Sequence, residues 1–140
     1  MGRTTLSGRL REEVCRAARH RLPLALLMFH VEAPPESSEA RGALTRAAVT
    51  FTRAVVRKSD VVESLGAGRF GVVANAPCEG ANALGESLVR LLSAFEFCGA
   101  DGPLTLQVRY AHSSLGGTKT AEDLLREARA GLEADGRAIG

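Results

Sequence analysis

The chain alternates between segments carrying a helical apolar stripe and short apolar runs of strand length. Residues 6–20 place Leu6, Leu10, Val14 and Ala17/Ala18 on one face, with Arg9, Arg11, Glu12, Glu13, Arg16 and Arg19 around them. That spacing predicts an amphipathic helix. Pro23 ends it. Leu24–Val31 is almost continuously apolar and is bounded by Pro34-Pro35, which predicts a central strand buried on both faces. Pro34-Pro35-Glu36-Ser37-Ser38 reads as a loop in which either serine can cap the next helix. That helix, 38–58, aligns Leu44, Ala47, Ala48, Phe51 and Val55, and its last turn holds Arg57 and Lys58, which suit the negative end of the helix dipole.

Residues 60–65 and 69–75 read as two strands joined by a tight turn. Gly66 and Gly68 allow positive φ there. Pro77 and Gly80 end the second strand. A helix over 81–96 buries Leu84, Leu88, Leu91/Leu92 and Phe95. Cys98–Pro103 reads as a turn, Leu104–Ala111 alternates as a half-buried strand, and Ser113–Thr118 is loop. A last helix over 120–134 turns Leu124, Leu125, Ala128 and Leu132 inward, with Thr120 as cap and Asp123 three residues on. Helix, strand, helix, strand, strand, helix, strand, helix implies an α+β fold: a mostly antiparallel central sheet with helices on one or both faces.

Composition narrows this. With 140 residues and 45% hydrophobic positions, the chain can bury a real core. Neither a repeat nor a linker divides it, so 1–140 is expected to be a single domain. No apolar run reaches the roughly 18 residues of a membrane span. Met1-Gly2-Arg3-Thr4-Thr5 leads into a charged helix rather than a signal peptide, which suits a cytoplasmic protein. Cys15, Cys78 and Cys98 form neither a metal pair nor a disulfide framework, so buried or incidental thiols are expected. A net charge of +2 and 4% aromatics give no footprint for nucleic acid.

The chemistry-bearing stretch is Gly66-Ala67-Gly68-Arg69-Phe70-Gly71, which matches G-x-G-x-x-G. A dinucleotide fingerprint requires a helix to follow, and Val72-Val73-Ala74 is strand. A kinase glycine-rich loop lies in a hairpin, but no lysine follows on the next strand, and HRD and DFG are missing.

A third pattern accounts for more of the chain. Arg57-Lys58-Ser59-Asp60, five residues, then Gly66-Ala67-Gly68-Arg69-Phe70 resembles the Arg-x-x-Asp and G-G-[DE]-E-F region of the GGDEF family, the diguanylate cyclases. Leu22-Pro23-Leu24 through Glu32 resembles that family's first strand. Leu104–Ala111 and Asp123-Leu124-Leu125-Arg126-Glu127-Ala128-Arg129 resemble its late strand and final helix. The resemblance implies a nucleotidyl cyclase-like fold with a ferredoxin-like core, in a bacterial signalling protein.

It also implies a degenerate site. The family holds two metal ions and GTP with acids, one at the end of the first strand and two in the signature. The corresponding residues here are His30, with Glu32 two positions later, and Gly68 and Arg69. Hard cations need oxygen ligands, and a guanidinium has only donors. The family's guanine-reading segment has no clear equivalent in Pro34–Ser38. The resemblance therefore implies an inactive domain, with no cofactor and no resident metal. A metal role for His30 and Glu32 lacks the ligand spacing it would need.

The family's product-binding inhibitory site is built on Arg-x-x-Asp and recognises cyclic di-GMP. Arg57 can donate bidentately to guanine O6 and N7, and the Asp60 carboxylate can accept from N1 and N2. Arg90 falls near the position of a further family arginine. By this resemblance Arg57, Asp60 and Arg90 form a cyclic di-GMP site and the domain is a receptor. An alternative is a protein-interaction or dimerisation module that binds no nucleotide, with the first helix continuing from an upstream signalling partner. A third, GTP binding without turnover, needs the ligands that are missing.

Overall fold

A computed structural model describes residues 6–32, 38–66, 68–94, 96–99, 102–105, 107–116 and 119–139. Its elements are α1 (Leu6–His20), β1 (Ala25–Glu32), α2 (Ser38–Val55), β2 (Val61–Gly66), β3 (Arg69–Ala74), α3 (Cys78–Ala94), β4 (Glu96–Gly99), β5 (Gly102–Thr105), β6 (Gln107–Ser114) and α4 (Ala121–Ile139). Four strands form one sheet in the order β2-β3-β1-β6, and every neighbouring pair is antiparallel. The expected α+β fold is present. The run β1-α2-β2-β3-α3-β6 is the split arrangement of a ferredoxin-like core.

β1 is central because its sequence has no polar face to give to water. Alternate side chains point to opposite faces of a strand. Ala25, Leu27, Phe29 and Val31 join Leu44, Ala48 and Val49 of α2 and Ala81, Leu88 and Leu92 of α3 in one buried cluster. Leu26 and Met28 join Leu6, Leu10 and Ala17 of α1 and Leu124, Ala128 and Leu132 of α4 in a second. Helices therefore cover both faces of the sheet. Phe29 stacks on Phe70 at 4.9 Å and on Tyr110 at 5.7 Å, its register partners on the two flanking strands. Gly85 of α3 lies under the Tyr110 ring, where an added Cβ would collide with it.

Several boundaries differ from those read in the sequence. α2 stops at Val55, so Arg57 and Lys58 lie beyond the helix and Arg53 is its last-turn cation. The cause is a turn in which Asp60 N–H donates to the Arg57 carbonyl and Asp60 Oδ2 accepts from Arg57 N–H. Pro77 does not end a strand; it opens α3, with the Ala81 amide bonded to its carbonyl. Proline's fixed φ and missing N–H cost nothing at a helix start. Gly80 lies inside that helix.

Cys98–Pro103 is not merely a turn, and 104–111 is not one strand. Phe97 pairs with Leu104 in a separate two-stranded sheet, whereas Gln107 pairs with Glu32 of β1. β6 runs on to Ser114, so Ser113 and Ser114, expected in a loop, are strand. Ala18, Val55 and Leu91 are exposed rather than inward-facing. Cys15 and Cys78 are exposed free thiols, not buried ones. Ala67, Phe95 and Pro34–Ser37 lie outside the described residues. Thr120 and Asp123 form the expected reciprocal cap, each backbone N–H donating to the other's side-chain oxygen. Among the described residues no helix is long and apolar enough to cross a membrane.

Candidate functional site

Two polar regions lie at different places on this sheet. The first is the β2–β3 hairpin and the end of β1. Gly66 and Gly68 adopt φ of 80° and 78°, the left-handed region that glycine enters without cost. The turn folds over β1, and the Val31 amide donates to the Gly68 carbonyl at 2.7 Å. A Cβ on Gly68 would lie 3.0 Å from the Val31 carbonyl oxygen. Phe70 is fully buried beneath the turn.

Register brings His30 opposite Arg69 on β3 and opposite Arg109 on β6. Arg69 Nε donates to His30 Nδ1 at 3.3 Å. In that contact Nδ1 serves as the acceptor. Nε2 lies 4.0 Å from Glu32. Arg109 reaches Glu32 at 3.5 Å and donates to the Leu132 carbonyl at 3.0 Å. Two guanidinium groups thus flank His30, and the neighbouring carboxylate already faces a cation. Like charges repel a divalent ion at such distances. Among the described residues no three His, Cys, Asp or Glu side chains gather into a group able to hold a metal ion.

The second region is the junction of α2 and β2. A cavity of about 290 Å³ opens here, lined by Arg9, Arg53, Val56, Arg57, Lys58, Asp60, Val61, Val62 and Glu63. Arg53 donates through Nε and a terminal nitrogen to the Val62 carbonyl, which fastens the end of α2 to β2. The two-way bonding between Arg57 and Asp60 fixes the turn. Asp60 Oδ1 is shielded from solvent and has no hydrogen-bond partner among the described residues, an unusual state for a carboxylate oxygen. The Arg57 guanidinium is exposed. Four basic groups face two acidic ones around the cavity, so its wall is net positive.

The sequence-predicted residues therefore fall into three places. Arg57 and Asp60 line the cavity together. His30, Gly66, Gly68, Arg69 and Phe70 belong to the hairpin region. Arg90 is exposed on α3 and does not line the cavity. Arg9, Arg53 and Lys58 were missed as site residues. Arg53 was legible on the expected helix over 38–58, where it falls one turn before Arg57, although Arg57 lies past the helix end. Arg9 was not, because it arrives from α1 through tertiary packing.

No family model matches the sequence, and no curated protein matches it. Solved structures do. The active GGEEF domain of a diguanylate cyclase from Vibrio cholerae superposes with a TM-score of 0.80 at 17% identity, over 95% of this chain and 88% of that one. A sensory box/GGDEF family protein from Caulobacter crescentus gives 0.81 at 19% identity, over 97% and 92%. This chain has the fold of a GGDEF domain. A third similar structure is the GGDEF domain of DgcB from Caulobacter crescentus in complex with c-di-GMP, at TM-score 0.78 and 12% identity over 94% and 80%. The GGDEF fold was the one implied by the Arg57–Phe70 pattern, and these identities extend the likeness to fold alone.

Proposed function

We propose that the chain is a catalytically inactive GGDEF-like signalling domain that receives cyclic di-GMP in the cavity at Arg57 and Asp60. The observation that carries this reading is the Asp60 Oδ1 atom. It is desolvated without a donor among the described residues, on the wall of a cavity that the exposed Arg57 also lines. A guanine edge is complementary to that pair: N1–H and N2–H donate to the carboxylate, and O6 and N7 accept from Arg57. Because Oδ1 is shielded from solvent, a guanine donor reaches it only as the turn shifts to expose it, and the pairing then relieves a buried acceptor that costs free energy while unpaired. The DgcB domain, similar in fold, was solved with c-di-GMP, which makes the ligand class reasonable. Arg90 stands outside the cavity and keeps a role only toward a part of the ligand that projects from it.

The inactive reading rests on the hairpin. Gly68 and Arg69 stand where the family supplies acids, and Arg69 is bonded to His30. Incubation of the purified protein with GTP and Mg²⁺ is expected to yield no cyclic dinucleotide by chromatography; product formation overturns it. Calorimetric titration with cyclic di-GMP tests the receptor reading. Heat that disappears in Arg57→Ala supports it. No heat at high micromolar ligand favours the interaction module instead.

A further inference from the structure

We propose that Arg9 is a phosphate-recognising residue of the same cavity, so that an anionic guanine nucleotide bound there ties helix α1 to the α2–β2 turn. This rests on the reading of the cavity as a cyclic di-GMP site and adds a wall to it.

Arg9 is placed by its neighbours. Leu6 and Leu10 on either side are buried against the sheet, which fixes the backbone between them. The side chain is half-buried and faces the cavity. The other arginines of α1 with assigned contacts behave differently: Arg11 pairs with Glu122 of α4, and Arg16 with Glu13. Arg9 forms no hydrogen bond or ion pair among the described residues. Partial burial of an unpaired cation is unfavourable unless an anion meets it.

The division of labour follows from what remains available. Arg53 is engaged by the Val62 carbonyl. Arg57 and the free oxygen of Asp60 suit a guanine edge. Arg9 and Lys58 are then left for the anionic part of the ligand, and a planar guanidinium fork matches a phosphate bidentately. The cavity volume of about 290 Å³ sits at the lower end of small-molecule sites, roughly 300–1,000 Å³. One guanine–phosphate unit is of that size, and the basic side chains of Arg9 and Lys58 on the wall suit the phosphodiester rather than a second base.

The test uses calorimetry with cyclic di-GMP and with guanosine, and amide hydrogen exchange with and without cyclic di-GMP. Arg9→Ala is expected to bind cyclic di-GMP about tenfold more weakly, as expected for loss of a charge-assisted hydrogen bond. Arg11→Ala, on the same helix, is expected to bind as the unaltered protein does. Guanosine, which has no phosphate, is expected to show no difference between the unaltered protein and Arg9→Ala. Cyclic di-GMP is expected to slow exchange in the first turns of α1 in the unaltered protein and not in Arg9→Ala. Equal cyclic di-GMP affinity for Arg9→Ala and the unaltered protein, or α1 exchange indifferent to ligand, overturns the role of Arg9 and leaves the cavity reading standing. No binding by the unaltered protein overturns both.

Discussion

The hairpin end of β1 and the α2–β2 junction carry similar residue types in opposite states. At the hairpin, Arg69 is bonded to His30, and Arg109 to Glu32 and a backbone carbonyl. These polar groups engage one another, with only Arg109 Nε of them buried without a partner among the described residues. At the junction, Arg9, Arg57 and Lys58 face a cavity, and Asp60 keeps one oxygen unpartnered. A network whose charged groups mostly bond one another stabilises what is already there. An unsatisfied one is free to bind something else. The residues that look most like an active site in the sequence are thus built into the structure, and the inconspicuous Arg-x-x-Asp beside them is where we propose that ligand binds.

The largest effect expected from breaking this contrast is at Phe70. It matches the signature, yet it is fully buried and stacked on Phe29. Phe70→Ala should cost about 3–5 kcal/mol of stability in denaturant unfolding. A loss below 1 kcal/mol would deny it a core role. Gly68→Ala should cost about 1–2 kcal/mol, because its positive φ and the approach to the Val31 carbonyl both penalise a Cβ. Gly66 shares the φ but has open space around it, so Gly66→Ala should cost less. Equal costs would show that the close approach contributes nothing.

Arg69→Ala sharpens the comparison from the other side. It removes one partly buried hydrogen bond, about 0.5–1.5 kcal/mol in thermal or chemical unfolding. Cyclic di-GMP affinity should be unchanged, and a weakened affinity would move the ligand to the hairpin. The smallest effect is a pH dependence away from both regions, on α4. The Arg11 side chain holds the Glu122 carboxyl below its ordinary range, the Thr120 amide and then Arg126 do so for Asp123, and the Ser113 hydroxyl and then Lys119 for Glu127. A carboxylate lowered in the folded state stabilises the fold above its unfolded pKa and loses that contribution as pH falls through the folded value. Melting temperature should therefore be flat near neutrality and fall on acidification below the ordinary carboxylate range. Glu127→Gln should shrink the fall. These groups are exposed, so salt should screen the effect.

Much of the fold was legible because β1 is apolar at nearly every position from Leu24 to Val31, and only a strand covered on both faces wants that. The helix stripes of α1 and α4 were legible for the same reason. The β4–β5 hairpin was not: its strands are four residues each, too short for periodicity to speak. The end of α2 was misplaced because the turn depends on Asp60 capturing the Arg57 amide, a local bond that competes with the helix and leaves no mark on apolar spacing. Of the candidate site, Arg57 and Asp60 were named through their resemblance to the Arg-x-x-Asp of the GGDEF family, not from any local pattern of their own. Arg9 required knowing that α1 packs across β2, which no local pattern encodes.

The central claim is that the unsatisfied Arg57–Asp60 cavity, not the hairpin, is where ligand binds. Titration of cyclic di-GMP into the unaltered protein, Arg57→Ala and His30→Ala at fixed salt addresses it directly. The account predicts saturable heat for the unaltered protein and for His30→Ala with the same Kd, and none for Arg57→Ala. Binding that survives Arg57→Ala but is lost in His30→Ala would contradict it.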